Sequence, residues 1–402
     1  MIGAPSYVCG TSSMPLLGET IGACLDRIAR EHGDNAAVVS RHQNIRWTWR
    51  EVHERASRVA CGLLRLGLEP GDRVGIWAPN SAEWLLMQLG AAKAGLILVT
   101  INPAYRRHEL EYALNKVGCR ALVLAPSFKS SDYLAILRDI APELPASPPG
   151  ALRSARLPEL RVAVRLGTDA TPGFHNFDEV LLAPTTAGEI ARVGAIDAAL
   201  SFDDAVNIQF TSGTTGEPKG ATLTHHNIVN NGFFAGEAIG LSANDRLCIP
   251  IPLYHCFAMV ACNLAGLTHG ATLVYPNDGF DALRVLEAIE AERCTVLYGV
   301  PTMFIAELAH PEFERFDLTS LRTGVMGGSP CAVDVVHRVI ERMHLPAMTV
   351  GYGMTETSPV SFQGRHDDPI EKRVSSVGRV HPYVEVKIVD ADGRIVPRGE
   401  PG

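Results

Sequence analysis

No Cys-x-x-Cys pair occurs in the chain, and its nine cysteines follow no regular spacing. An odd, scattered set of thiols excludes a disulfide frame and a local zinc motif, and points to a reducing compartment. Blocks of Lys or Arg are also missing. The 36 basic and 44 acidic side chains leave a formal net charge of −8, so bulk electrostatics offers no nucleic-acid footprint. A small anion stays possible, because a few backbone N–H groups and one Lys can hold phosphate at any net charge. The most apolar stretch, 95–101, is far shorter than the ~20 residues that span a bilayer. The first basic residue is Arg27, so the N-terminus shows neither the cationic start of a secretory signal nor the Arg-rich face of a mitochondrial presequence. The expected location is therefore cytoplasmic. Internal repeats and low-complexity tracts are absent.

What is present is ordinary globular material: 46% hydrophobic and 20% charged residues over 402 positions, too long for one core and enough for at least two subdomains. Apolar residues recur at helical spacing through 21–30 and 49–66, with a stop at Gly67. Short β-branched runs at 36–40, 73–78, 96–101 and 121–125 are continuously apolar, as buried parallel strands require. This alternation predicts an α/β fold of two doubly wound subdomains. The first covers 1–200, with a Pro-rich connection near 141–158. The second, 201–358, has strands at 206–210, 220–224, 271–275 and 295–298 and helices from Asn227 and across 282–293. From 359 to 402 the pattern changes to short β pieces, including 384–389 before the turn Asp390-Ala391-Asp392-Gly393. That portion reads as the start of an incomplete, barrel-like β subdomain whose strands near 384–389 lack partners and leave an open edge.

The run Phe210-Thr211-Ser212-Gly213-Thr214-Thr215-Gly216-Glu217-Pro218-Lys219-Gly220 is the most informative. Its glycines permit close backbone approach, its hydroxyls supply donors, and Lys219 adds a mobile positive charge, a combination suited to a polyphosphate. A flexible polar turn is the plainer reading, but such density between two apolar strands is unusual for one. A Walker A loop is disfavoured, since Lys219 follows Glu217-Pro218 and precedes a strand-like run rather than opening a helix.

This loop resembles the phosphate-binding signature of the adenylate-forming superfamily, which includes acyl-CoA synthetases, peptide-synthetase adenylation domains and luciferases. Three further motifs follow in that family's order. Pro252-Leu253-Tyr254-His255 is similar to its Pro-aromatic-His segment, Gly327-Gly328-Ser329-Pro330 to its adenine loop, and Gly351-Tyr352-Gly353-Met354-Thr355-Glu356-Thr357 to its Tyr-Gly-x-Thr-Glu motif. The resemblance also takes in Ile101-Asn102-Pro103-Ala104-Tyr105 and Tyr298-Gly299-Val300-Pro301-Thr302-Met303-Phe304. It thus runs over nearly the whole chain, and the fatty acyl-CoA synthetases, especially medium-chain ones, look most similar.

The resemblance implies a reaction in two steps. A carboxylate attacks the α-phosphate of ATP to give acyl-adenylate and pyrophosphate, and the thiol of coenzyme A then takes the acyl group. Lys219, Thr355, Glu356 and His255 are the implied catalytic residues. The nucleotide falls to Thr211, Ser212, Gly213, Thr214, Thr215, Gly216, Lys219, Gly328, Ser329, Pro330, Gly351, Tyr352, Gly353, Met354 and Thr355. Glu356, with Thr214 as second candidate, is the implied Mg²⁺ ligand, since a carboxylate is the hard oxygen donor that ion prefers. His255, Phe257, Val300, Met303 and Gly327 line the implied slot for a medium- or long-chain fatty acid, with Met354 beside it. His225 and His226 are read as structural. Family members continue past the position of Gly402 with a ribose-binding Asp motif and a small C-terminal domain. The expectation is therefore the truncated, large N-terminal portion of such a ligase. The alternatives are an enzyme that adenylates an aryl or other carboxylic acid, and a nucleotide- or acyl-binding remnant without full turnover.

Overall fold

The continuously apolar runs form parallel strands, because a strand without a polar face is stable only when both faces are covered. The structure, a computed structural model, describes residues 4–211 and 217–402. One sheet has seven strands in the spatial order His175–Asn176, Val162–Arg165, Cys119–Leu124, Arg73–Trp77, Ile97–Thr100, Ala205–Thr211 and Lys219–Thr224. Its neighbours are parallel except for the last pair. A second sheet has nine strands in the order Arg379–Val380, Val360–Gln363, Ala347–Gly353, Thr323–Met326, Val296–Gly299, Arg246–Cys248, Thr272–Tyr275, Ala36–Ser40 and Ile45–Thr48. It is parallel through the middle and antiparallel at both edges.

The strands do not sort by the boundaries expected at 200 and 358. Ala36–Ser40 and Ile45–Thr48 join the second sheet, while Ala205–Thr211 and Lys219–Thr224 complete the first. A hydrophobic run marks a strand but carries no label for its partner. The C-terminal part also differs from expectation. Glu385–Lys387 pairs antiparallel with Tyr7–Cys9, and bridges join Pro5 to Pro397 and Val389 to Ile395. The edge expected to stand open is thus covered by a segment from the other end of the sequence, and among the described residues no sheet closes into a barrel.

Helix Ala82–Lys93 lies between the sheets, touching Arg73–Trp77 and Ile97–Thr100 of the first and Ala36–Ser40 of the second. It is buried on nearly every side, so it has no amphipathic stripe for a periodicity argument to find. Its start is legible: the Ser81 hydroxyl accepts the Trp84 N–H at 3.2 Å. From this helix Gln88 reaches a π-helical turn, Met259–Leu264. Gln88 Nε2 donates to the Met259 carbonyl at 3.1 Å, and its Oε1 accepts from Asn263 Nδ2 at 2.9 Å. Asn263 Oδ1 in turn accepts the Tyr275 hydroxyl of the second sheet at 2.9 Å.

At the end of the same helix, Lys93 Nζ lies 2.7 Å from Asp26 and 2.9 Å from Asp197, and His53 Nε2 lies 2.7 Å from Asp26. Four helices meet at this cluster: Ile21–Glu31, Trp49–Arg65, Ala82–Lys93 and Ala187–Ala199. Burial alone would raise the Asp26 carboxyl, but hydrogen bonds from His53 and Lys93 outweigh it and hold the group at about 2. Asp197 is more deeply buried, and burial outweighs the lowering effect of Lys93, so its carboxyl is pushed up instead.

Gln88→Leu leaves the buried Met259 carbonyl and the Asn263 amide without partners, which should cost about 2 to 4 kcal/mol; the expected readout is a lower urea midpoint at an unchanged slope. The Asp26 pairing has a pH signature as well. Because its folded value lies below the ordinary ~3.9, the stabilisation is complete above about pH 4 and is lost as the pH falls towards 2. The wild-type urea midpoint should therefore drop more steeply over that window than the midpoint of Asp26→Asn, and equal slopes would count against the assignment.

Candidate active site

Strand Ala205–Thr211 brings the phosphate-loop sequence to the rim of the first sheet, and in the antiparallel register Thr211 stands directly opposite Lys219. Ser212, Gly213, Thr214, Thr215 and Gly216 lie outside the described residues. Lys219 is exposed. Just before it, the Pro218 carbonyl accepts the Tyr112 hydroxyl of helix Arg107–Val117 at 3.1 Å, fixing the chain where it re-enters the sheet.

The second sheet supplies the facing half. Strand Ala347–Gly353 runs out through Gly351, Tyr352 and Gly353 into a 3₁₀ turn, Thr355–Thr357. The turn is tight: Met354 N–H donates to the Pro359 carbonyl at 3.0 Å, and the Thr357 hydroxyl accepts from Ser361 at 2.7 Å while donating to Pro359 at 3.0 Å. A Cβ at position 353 would collide with the Pro359 carbonyl, so the turn requires glycine there. Glu356 projects from this turn, and its Oε1 accepts the Thr211 hydroxyl at 3.2 Å. That hydrogen bond joins the two sheets at the place where the two motifs meet.

Thr355 Oγ1 lies 3.3 Å from Cys256 Sγ, which brings the Pro-aromatic-His segment to the same turn. Cys256 escaped the sequence reading, although its position directly after His255 was the available signal. Burial pushes its thiol up, so it is a neutral contact rather than a nucleophile. His255 is exposed, with the Tyr254 ring 5.0 Å away. The protein mass around the imidazole lowers its pKa, leaving a neutral ring that can donate one hydrogen bond and accept another near pH 7. His225, by contrast, is buried, accepts the Ile21 N–H at 3.1 Å and is held down to about 4 by burial. His226 lies against Phe202 with ring centroids 5.1 Å apart.

Tyr352 is 57% exposed and meets Phe362 edge-on at 5.9 Å, so a ring face is open for stacking. Gly328, Ser329 and Pro330 are exposed beyond strand Thr323–Met326, and Gly328 has a φ of +84° that favours glycine. Gly327 is buried: a Cβ there would sit 2.8 Å from the Gly351 carbonyl and 3.6 Å from the Phe257 ring. Its missing side chain thus lets two backbones close on each other as well as clearing space beside Phe257. The Phe257 ring meets Tyr298 edge-on at 5.9 Å, and Val300 packs towards Gly328. Met303 is half-buried on helix Pro301–Leu308, whereas Met354 is 58% exposed. Phe257 and Val300 therefore both border the Gly327-Gly328 pair.

Among the described residues no group of three or more His, Cys, Asp or Glu could hold a metal ion. The exposed Glu356 carboxylate beside the Thr211 hydroxyl offers hard oxygen atoms with room for water, which fits Mg²⁺, an ion that keeps much of its hydration shell. No described helix is long and apolar enough to cross a membrane.

Known proteins are similar in sequence and in fold. The medium-chain acyl-CoA ligase ACSF2, mitochondrial, of Danio rerio is 43% identical over 400 residues, covering 99% of this chain and 66% of its own. The Homo sapiens protein of that name is 42% identical over 406 residues, covering 100% and 66%. The chain thus spans just under two thirds, 66%, of the length of these relatives. Among solved structures, the anthranilate CoA ligase AuaEII in complex with anthranoyl-AMP superposes with a TM-score of 0.82 at 25% identity, over 96% of this chain and 69% of that one. The inhibitor-bound N-terminal domain of FACL13 from Mycobacterium tuberculosis gives 0.76 at 25% identity, over 94% and 86%. The family model described as AMP-binding enzyme matches residues 25–402, from the first helix through every motif at the rim of the two sheets, and the chain belongs to that family.

Proposed function

We propose that the chain carries the adenylating centre of an ATP-dependent fatty acid–CoA ligase acting on medium-chain acids. The observation that carries this reading is the Thr211–Glu356 contact, which sets the end of the phosphate-loop strand against the Tyr-Gly-x-Thr-Glu turn. Identity of 43% to a medium-chain acyl-CoA ligase supports the substrate class. An aryl-acid enzyme has weaker support, a fold likeness at 25% identity.

The chemistry requires two anions to approach each other. Lys219, opposite Thr211, offsets charge on the phosphates, and the open face of Tyr352 receives the adenine. His255 hydrogen-bonds the fatty carboxylate, while the surface around Phe257, Val300 and Gly327 takes its chain. Carboxylate oxygen then bonds the α-phosphorus as pyrophosphate leaves, and the thiol of coenzyme A afterwards displaces AMP from the acyl carbon. Glu356, with Thr214 as the second candidate, would hold Mg²⁺, which when bound would supply Lewis-acid neutralisation of phosphate charge. The nine unpaired thiols suit a reducing interior. The cytoplasm is the proposed compartment, although the ACSF2 relatives are called mitochondrial.

Lys219→Ala and Glu356→Gln should each slow adenylate formation, measured as pyrophosphate release, roughly a hundredfold, or ~3 kcal/mol, without lowering the melting temperature, since both side chains are exposed. Wild-type rates in either folded variant would refute the assignment. Across a series of straight-chain acids, kcat/KM should rise roughly fourfold per methylene, the equivalent of ~0.8 kcal/mol, until the slot is full. Acetate equal to octanoate, or anthranilate ahead of both, would overturn the fatty-acid reading.

A further inference from the structure

Val360 comes three residues after the turn Thr355–Thr357, and it lies where the second sheet runs out of strand. On one side strand Val360–Gln363 pairs with Ala347–Gly353, Val360 standing opposite Gly353. On the other side Arg379–Val380 covers only Phe362 and Gln363. His381 N–H still reaches the Ser361 carbonyl at 2.8 Å, and there that neighbour ends. At the next residue an amide side chain takes over. Asn231 Nδ2 donates to the Val360 carbonyl at 2.8 Å, and Asn231 Oδ1 accepts the Val360 N–H at 3.0 Å. A primary amide has the donor and acceptor of a peptide group, so Asn231 acts as one more rung of the ladder at a residue that is buried.

Asn231 belongs to the other half of the site. It sits on helix His225–Ala238, which continues strand Lys219–Thr224 without a linker. The junction is closed by a reciprocal cap: Thr224 Oγ1 accepts the Asn227 N–H at 3.1 Å, and Asn227 Oδ1 accepts the Thr224 N–H at 3.2 Å. Lys219, Thr224, Asn231, Val360, Glu356 and Thr211 therefore form a closed ring of bonded and hydrogen-bonded links, since Thr211 pairs back to Lys219. The Val360 side chain also packs with Ala235, Ala261 and Phe257, which extends the ring to the apolar surface.

We propose that Asn231 is a positioning residue for the adenylation step: its amide fixes the Thr355–Glu356 turn relative to Lys219. This rests on the function proposed above. Its neighbour supplies a matched control. Asn230 makes the same double grip on a backbone, with Oδ1 accepting the Leu17 N–H at 2.7 Å and Nδ2 donating to the Leu17 carbonyl at 3.0 Å, but it does so away from the motifs.

The test compares Asn231→Leu, Asn231→Asp and Asn230→Leu in the 402-residue chain, with octanoate, ATP and Mg²⁺, below the melting temperature of each. Asn231→Asp keeps the acceptor for Val360 N–H and loses the donor, so it decides the matter if Asn231→Leu does not fold. Asn231 variants should lose roughly ten- to a hundredfold in kcat, as misplacement of catalytic groups does, with KM for ATP within about threefold of wild type. Asn230→Leu should lower the melting temperature and leave kcat unchanged. Loss of melting temperature without loss of kcat in the Asn231 variants, or equal kcat losses at both positions, overturns the proposal. Amide hydrogen exchange over residues 354–361 is read in parallel, since it needs no turnover. If the wild type forms no adenylate, the proposed function fails on its own and exchange decides for Asn231. Faster exchange there in the Asn231 variants but not in Asn230→Leu supports the tie, and unchanged exchange overturns it.

Discussion

Both sheets reach for Met259. Its carbonyl accepts Gln88 from the helix between the sheets, a bond continued through Asn263 to the Tyr275 hydroxyl of the second sheet. Its sulfur lies 3.4 Å from Gln209 Nε2, two residues before Thr211 on the first sheet. In a low-dielectric interior such a chain of amides has few equivalent arrangements, and every member that lost its partner would be left dry and unpaired. The π turn matters because it presents the Met259 carbonyl to a side chain from a neighbouring helix rather than leaving it to the regular ladder alone. Met259 N–H bonds back to the His255 carbonyl at 2.9 Å, so the position of the imidazole at the rim follows from the position of this buried knot.

The site then divides its chemistry between the two sheets. The first contributes Lys219 and the Thr211 hydroxyl on an antiparallel edge pair, and the second a carboxylate, an exposed aromatic face and a tight turn. The halves are held by short contacts, the Thr211 hydroxyl donating to the Glu356 carboxylate and Cys256 Sγ lying against Thr355 Oγ1, rather than by a salt bridge between Lys219 and Glu356. On the proposed function, that leaves the charged groups free to meet phosphate, carboxylate and metal, because neither Lys219 nor Glu356 is already neutralised by the other.

Much of this was legible in the sequence, for a definable reason. Strands 36–40, 73–77 and 97–100 were readable from apolar continuity, and the four motifs from their resemblance to a known family, one of their glycines, Gly353, being required beneath the Pro359 carbonyl. What escaped depends on partners distant in sequence. The run at 36–40 looks the same whether it pairs with its sequence neighbours or with Thr272–Tyr275. Helix Ala82–Lys93 has no polar face and so no period. Tyr7–Cys9 is three residues with no apolar alternation against core, and nothing local says that it covers Glu385–Lys387. Asn231 was invisible because its significance lies in the backbone vacancy at Val360, which no side chain encodes.

The displaced pair Ala36–Ser40 and Ile45–Thr48 sets an order of assembly during synthesis. Every strand of the first sheet has been made once Thr224 has left the ribosome, so that sheet can close while the second is still being translated. Ala36–Ser40, made earlier than any of them, pairs on one side with Ile45–Thr48 but has no parallel neighbour until Thr272–Tyr275 emerges. For more than 230 residues of elongation, Ser40 to Thr272, an apolar strand edge must wait in solution or in the keeping of a chaperone. The strand pair that carries Lys219 is therefore complete in sequence well before the neighbour that Ala36–Ser40 needs.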